Sequence, residues 1–493
     1  MLANVNRQAQ KEGMRALLVG AVVLALYGIV TAKSDYILAA YLVLVFACLL
    51  PTFLWLRSGA EGIPILPAFA LAHLPYFALS VIRPEGLLHL YEPEEILVAS
   101  STVSAFLISA AATAHLGRSA QRLRPPAPDP EQSARQLSLL ILTGLSCGLV
   151  FQVGAASGVL QLLDTLYGTA RSLASTFALV ACYCFGVGAG QRLLTKRDLL
   201  MGGLLVGANV LVSWSSLFLV GGMMYLMAGT VGFVVATGRV PWKSFLLVFA
   251  VVSVLQAGKR DMRDVYWYAG ANYGNTTSVA DLPDRLMEWT ARGIEVLTSS
   301  DAEFVEVDPN RPTVLDRTSL IRMMLWAQRM APDMVEHLDG ATYALLPQVL
   351  MPRFIFPDKP ASQAGMDMLN VHFAVLLEHE TEKTAVGWGL AAEAYANFGY
   401  AGVLAMGALV GILARVLTQR SAGHSGVSLP SLVAIAALIN MINMEADFIG
   451  LFMSLLQSAV AVFVFYYALS MLTRREFRKH PGHAPGVGLV TRK

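Results

Sequence analysis

ATYALLPQVLMPRFIFPDKP, residues 341–360, is the stretch on which the reading of this chain turns. Its first half is apolar, yet prolines at 347, 352, 357 and 360 break it well short of the roughly 20 residues that a bilayer crossing needs. Arg353, Asp358 and Lys359 sit among those prolines, and charges held beside a membrane are costly unless they serve a purpose. The stretch belongs to a polar segment, residues 258–392, with apolar spans on both sides. That segment is the first place to look for a site.

Composition sets the class. The chain has 493 residues, 55% of them hydrophobic and 14% charged, with a mean hydropathy of +0.56. Soluble domains carry about 25% charged residues, so these values imply an all-α polytopic membrane protein. A net charge of +2, with no basic run carrying interleaved aromatics, argues against nucleic acid. The four cysteines (Cys48, Cys147, Cys182, Cys184) all fall in apolar spans. Cys182-x-Cys184 has no partner ligands in sequence, so all four read as buried small hydrophobes, with no metal site and no disulfide framework. Arg7, Lys11 and Arg15 precede the first apolar run without a convincing cleavage site, which reads as an uncleaved first helix.

Hydropathy gives about twelve spans. They cover residues 15–32, 36–56, 62–82, 94–116, 137–158, 172–191, 198–216, 218–237, 242–257, 393–416, 428–446 and 448–472. Basic residues test the count. Arg57, the group Arg118, Arg122, Arg124 and Arg135, the group Arg192, Lys196 and Arg197, then Arg239, Lys243, Arg415, Arg420 and Arg474 onward all fall on one side. Short loops on the other side hold only Lys33, Arg83 and Arg171. The positive-inside rule then expects both termini in the cytoplasm and residues 258–392 outside it, the periplasm in a bacterium with two membranes. The chain divides accordingly into spans one to nine (1–257), a large periplasmic loop with the candidate active site (258–392), and spans ten to twelve with a cytoplasmic tail (393–493).

Several details colour the spans. Pro64, Pro67 and Pro75, with His73, predict a kinked third span. Gly407-x-x-x-Gly411 is a small-residue stripe suited to helix packing. Asn440 to Asp447, with Glu445, is an acidic turn between the last two spans. It reads as a hydrated hairpin or as part of the same outward-facing site. In the loop, residues 261–268 continue the ninth span, 282–297 and 316–330 read as amphipathic helices, and 369–378 as a short helix carrying His372. Lys259, Arg263, Arg317, Arg353 and Lys359 are expected to form a positive cluster. Clustered cations call for an anion, and the arginine fork suits phosphate. Headgroup contacts, or pairing with Asp261, Asp264, Asp316 and Asp358, are the structural alternative.

These residues also carry a resemblance. Lys259-x-x-x-Arg263, Arg317-Thr-Ser-Leu and Gly340-x-Thr342-Tyr343 look like the periplasmic-loop pattern of the Wzy-type O-antigen and exopolysaccharide repeat-unit polymerases. So do Pro352-Arg353-x-x-x-Pro357-Asp358-Lys359-Pro360 and Glu393-x-Tyr395-x-Asn397-Phe398-Gly399, which are the specific pair. Phe356 stands where that pattern more often has Trp. The resemblance covers roughly residues 255–417. It implies a GT-C-like membrane glycosyltransferase of the bacterial inner membrane, joining undecaprenyl-pyrophosphate-linked glycans en bloc. No cofactor and no metal are expected, since the loop shows no metal-ligand spacing. The arginines and lysines would stabilise the departing pyrophosphate, with Tyr395 and Asn397 in the substrate site. Glu393 or His372 would accept the acceptor hydroxyl's proton. Membrane lipids are partners, and a chain-length regulator and a flippase are open ones. Two alternatives stand beside it: transfer to lipid A-core by a ligase of similar topology, and a twelve-span transporter.

Overall fold

A computed structural model describes residues 2–82, 86–116, 134–160, 167–268, 281–298, 319–351, 356, 359–381 and 384–479. Among the described residues every regular element is a helix. Ten helices are long and apolar enough to cross a membrane, and the chain is a polytopic membrane protein. Of the twelve expected spans, Lys196–Trp214 and Leu429–Met441 are helical but fall outside those ten. At 13 residues, Leu429–Met441 rises only about 20 Å, short of a hydrocarbon core of about 30 Å. Its apolar run continues in sequence, but the backbone leaves the helix after Met441.

The chain forms two compact units, each from two segments: Met1–Pro128 with Glu295–Ser458, and Asp129–Ile294 with Ala459–Lys493. Residues 258–392 are thus shared between the units.

In the first unit, Asp35–Arg57 begins at Ser34, whose hydroxyl accepts the Ile37 N–H at 3.3 Å. Asp35 and Arg57 lie at the ends that the helix dipole favours for each. Ile65–Ile82 carries a π-helical turn, Leu74–Ala78, at Pro75, which lacks the N–H a regular helix would use there. The Gly407–Gly411 stripe lies against Pro93–Leu116. A Cβ at Gly407 would strike the Phe106 carbonyl, and one at Gly411 the Ala110 carbonyl and the Thr113 hydroxyl. The close approach lets Ser109 Oγ donate to Leu404 O at 2.8 Å and Thr113 Oγ1 to Ala408 O at 3.1 Å.

The second unit packs Tyr167–Gly190 against Leu219–Thr237 through Gly186, Gly229 and Gly232, again backbone on backbone. Cys182 and Cys184 are fully buried, and Cys147, expected to be buried, is exposed. Asn209 is buried, donating to Leu145 O and Leu205 O, while Gln152 bridges its Oδ1 to the Tyr225 hydroxyl. The amphipathic helix Leu282–Thr298 buries Trp289, which donates to Leu255 O at 2.6 Å on Trp242–Arg263.

Candidate functional site

The first unit gathers its buried polar groups at the start of the Gly389–Ser421 helix. This helix is two pieces, because Phe398 (φ −139°) and Gly399 (φ +60°, ψ −148°) break it. Only glycine takes the Gly399 conformation without strain. The break leaves a short helix, residues 389–397, with unsatisfied carbonyls at its end. Leu338 N–H donates to Ala396 O at 3.0 Å and Asp339 N–H to Asn397 O at 3.1 Å, which caps them. Residues 340–343 are thereby laid along the short helix.

Glu393 lies at the centre of this arrangement and is fully buried. Its Oε1 accepts the Thr342 hydroxyl at 2.9 Å and its Oε2 accepts the Phe448 N–H at 2.6 Å. Asn397, one turn on, donates from Nδ2 both to Thr342 Oγ1 and to Glu393 O, each at 2.9 Å. One carboxylate therefore ties together three chain segments. Tyr343 packs edge-on against Phe448 at 5.3 Å and stacks on Phe398 at 6.0 Å. Behind these, Asp447 accepts Gly450 N–H at 3.0 Å and is only 1% exposed, so the acidic turn is not hydrated at that residue. Its second oxygen backs onto Gly365, where a Cβ would come within 2.7 Å of it. The helix Ala364–His372 is locked to the same site by Trp388 Nε1, which donates to Asn370 Oδ1 at 2.9 Å. That helix ends at His372, earlier than the expected 378, and the expected helix 316–330 is described as Ile321–Met330.

Four buried polar atoms around this knot have no hydrogen-bond partner: Asn397 Oδ1, Tyr343 Oη, Asp367 Oδ1 and Asp447 Oδ2. Burial pushes the Tyr343 phenol up, with the nearby Glu393 and Asp447 adding to it. Burial likewise raises Asp367, and pushes Asp447 up to about 6 against the hydrogen bond from Gly450. No three or more His, Cys, Asp or Glu side chains among the described residues are placed to hold a metal ion.

The expected site residues divide. Glu393 and Asn397 meet in the knot. Tyr395 points the other way, its hydroxyl 3.5 Å from Ala331 O and its ring edge-on to His337 at 5.6 Å. His372 is half-buried, with Nε2 2.9 Å from Glu336 O. Lys359 donates from Nζ to Val349 O at 2.9 Å. Lys259 and Arg263 belong to the second unit. There Arg263 donates to Leu217 O at 3.1 Å and stacks over Phe218, and Lys259 is half-buried and engaged. Arg317 and Arg353, with Asp316 and Asp358, lie outside the described residues. Arg329 has a structural role, with a fork on Glu95 (2.7 and 3.2 Å) and its guanidinium over Tyr91. Thr342 and Asp447 are the residues that sequence reasoning left out of the site. Thr342 stood inside a quoted motif and Asp447 inside the acidic turn, but nothing in their spacing paired either with Glu393.

Asp447 gives a pH prediction. An ordinary Asp titrates near 3.9, and the folded value is about 6, so the folded state holds this proton more tightly than the unfolded chain. The stabilisation is fully present below about pH 4 and is lost as pH rises through about 6. Asp367, raised by burial, pulls in the same direction. Melting temperatures in detergent should fall from pH 5 to pH 7.5, and Asp447→Asn should flatten that slope. An unchanged slope in Asp447→Asn would show that this carboxyl is not what titrates.

Comparison with protein-family models, with curated proteins and with solved structures returns no match for this chain.

Proposed function

We propose that this chain polymerises glycans carried on undecaprenyl pyrophosphate, by en bloc glycosyl transfer at the periplasmic face of a bacterial inner membrane. In this reading the fold is GT-C-like and both termini are cytoplasmic. One observation carries it. Gly340-x-Thr342-Tyr343 and Glu393-x-Tyr395-x-Asn397-Phe398-Gly399, the two motif segments that resemble Wzy-type polymerases, are joined by the Thr342–Glu393 and Asn397–Thr342 hydrogen bonds at 2.9 Å. Residues about 50 positions apart that resemble one family's motifs are here parts of one buried assembly.

The chemistry is a displacement at an anomeric carbon. The acceptor sugar's hydroxyl oxygen forms the new glycosidic bond, and the bond from that carbon to the phosphate oxygen breaks. The electron pair leaves on the lipid pyrophosphate. The hydroxyl proton passes to a base, for which His372 and Glu393 are the candidates. Arg353 and Lys359, with Arg317, would meet the charge that develops on the leaving pyrophosphate. The energy is already stored in the pyrophosphate linkage, so the protein has only to position and stabilise.

A polymer-length gel tests this, using a deletion strain complemented with wild type, Arg353→Ala or Lys359→Ala at matched membrane levels. The deletion and Arg353→Ala should both leave single repeat units on the surface glycan. Lipid-linked polymer that never reaches lipid A-core would identify a ligase instead. Lipid-linked single units trapped on the cytoplasmic side would identify a transporter.

A further inference from the structure

A groove in the first unit, at the far end of the long helix from Glu393, has no part in the reaction above. It is a half-open groove with a cavity volume of about 50 Å³, between the helices Asp35–Arg57, Ile65–His73, Pro93–Leu116 and Gly389–Ser421. Its walls are apolar, formed by residues such as Trp55, Leu66, Pro67 and Ala114. One cation enters it. Arg415 lines the groove, its Nε is buried, and that Nε has no hydrogen-bond partner. Arg322 in this unit also has a buried Nε without a partner, but it is not among the residues lining this groove, and Arg329 is paired with Glu95.

An arginine guanidinium in an apolar groove, with a buried N–H unpaired, lacks an acceptor. The rest of the surroundings narrows what that acceptor is. Arg57, His115 and Arg420 lie in the last turns of three of the four helices that frame the groove, so this is their basic end. The positive-inside count assigns that end to the cytoplasmic leaflet, whose lipids include anionic ones. A free inorganic anion would leave the apolar walls uncovered, whereas a phospholipid offers a phosphate for the fork and an acyl chain for the walls. We infer that Arg415 and this groove bind one anionic phospholipid of that leaflet, its phosphate on the Arg415 guanidinium. The inference does not depend on the polymerase reading.

Native mass spectrometry of the detergent-purified full chain, exchanged into mixtures of phosphatidylglycerol and phosphatidylcholine, tests it. Wild type should retain one phosphatidylglycerol in preference to phosphatidylcholine. Arg415→Gln should lower that retention about tenfold, the loss expected for one charge-assisted contact. Ala114→Phe, which fills the groove and keeps the charge, should lower it as well, and Arg415→Lys should restore part of it. Equal retention of the two lipids by wild type overturns the proposal, and so does an Arg415→Gln protein that binds like wild type. Loss in Arg415→Gln but not in Ala114→Phe also overturns it, since that is an arginine reaching bulk headgroups without a bound lipid. If Arg415→Gln melts below wild type in lipid-free detergent, the wild-type preference and Ala114→Phe decide alone.

Discussion

Glu393→Ala is expected to cost about 4 kcal/mol of stability and to remove most of the folded protein from the membrane. The carboxylate is fully buried and accepts from the Thr342 hydroxyl and the Phe448 N–H. Truncating it strands both donors where water does not reach, and each such orphan costs about 1–3 kcal/mol. The emptied volume adds a cavity term. Thr342→Val should be milder, because Asn397 Nδ2 keeps its bond to Glu393 O. Size-exclusion profiles and melting curves in detergent would show the difference. A Glu393→Ala protein that melts within about 2 °C of wild type would refute the central place given to this side chain.

The isosteric variant separates holding from chemistry. In Glu393→Gln the amide oxygen can accept from Phe448 N–H, and the amide nitrogen can donate to Thr342 Oγ1. That hydroxyl oxygen has two lone pairs and already accepts from Asn397. The fold should therefore survive with a change of about 1 kcal/mol. Under the polymerase reading, folded Glu393→Gln that still makes long polymer assigns the proton to His372, the half-buried candidate. Folded protein that makes none assigns it to Glu393.

What could be read in advance follows from the range of the forces involved. Membrane class and ten of the spans rest on local runs of apolar residues, which hydropathy measures directly. It measures composition only, so it could not see that residues 428–446 are a 13-residue helix followed by an irregular turn. The tenth span was expected to open at 393, but its helix opens at Gly389 and breaks at Gly399. A glycine after Asn-Phe hints at such a break without requiring it. The polar knot was out of reach. Thr342 and Phe448 lie 51 and 55 residues to either side of Glu393, and no periodicity links them. The expected cation cluster met the same limit: like charges spread through a loop carry no signal of what they face. Lys359 and Arg263 each donate to a backbone carbonyl, where the sequence suggested a shared anion.

Gly411→Leu is expected to prevent the first unit from assembling, with a loss of about 3 kcal/mol or more. Lipid tails are as apolar as leucine, so helices in a membrane associate through close contact and not through burial of greasy surface. Here the contact is backbone against backbone. Even a Cβ at Gly411 would strike the Ala110 carbonyl and the Thr113 hydroxyl, and neither is the loose end of a flexible chain. The helices would have to part, which also breaks the Thr113–Ala408 and Ser109–Leu404 hydrogen bonds. Because Glu393 sits on the same helix, the displacement would carry through to the knot. A sequence such as Gly407-x-x-x-Gly411 is equally compatible with pairing between two copies of a chain, and the variant distinguishes the two. If the stripe joined copies, Gly411→Leu would shift the oligomeric state and leave the melting temperature of the single chain alone. If it joins Gly389–Ser421 to Pro93–Leu116, as the carbonyl contacts require, the melting temperature falls whatever the oligomeric state. Gly20 is a fitting control, since a Cβ there meets nothing within 4 Å, and Gly20→Leu should leave the fold as it is.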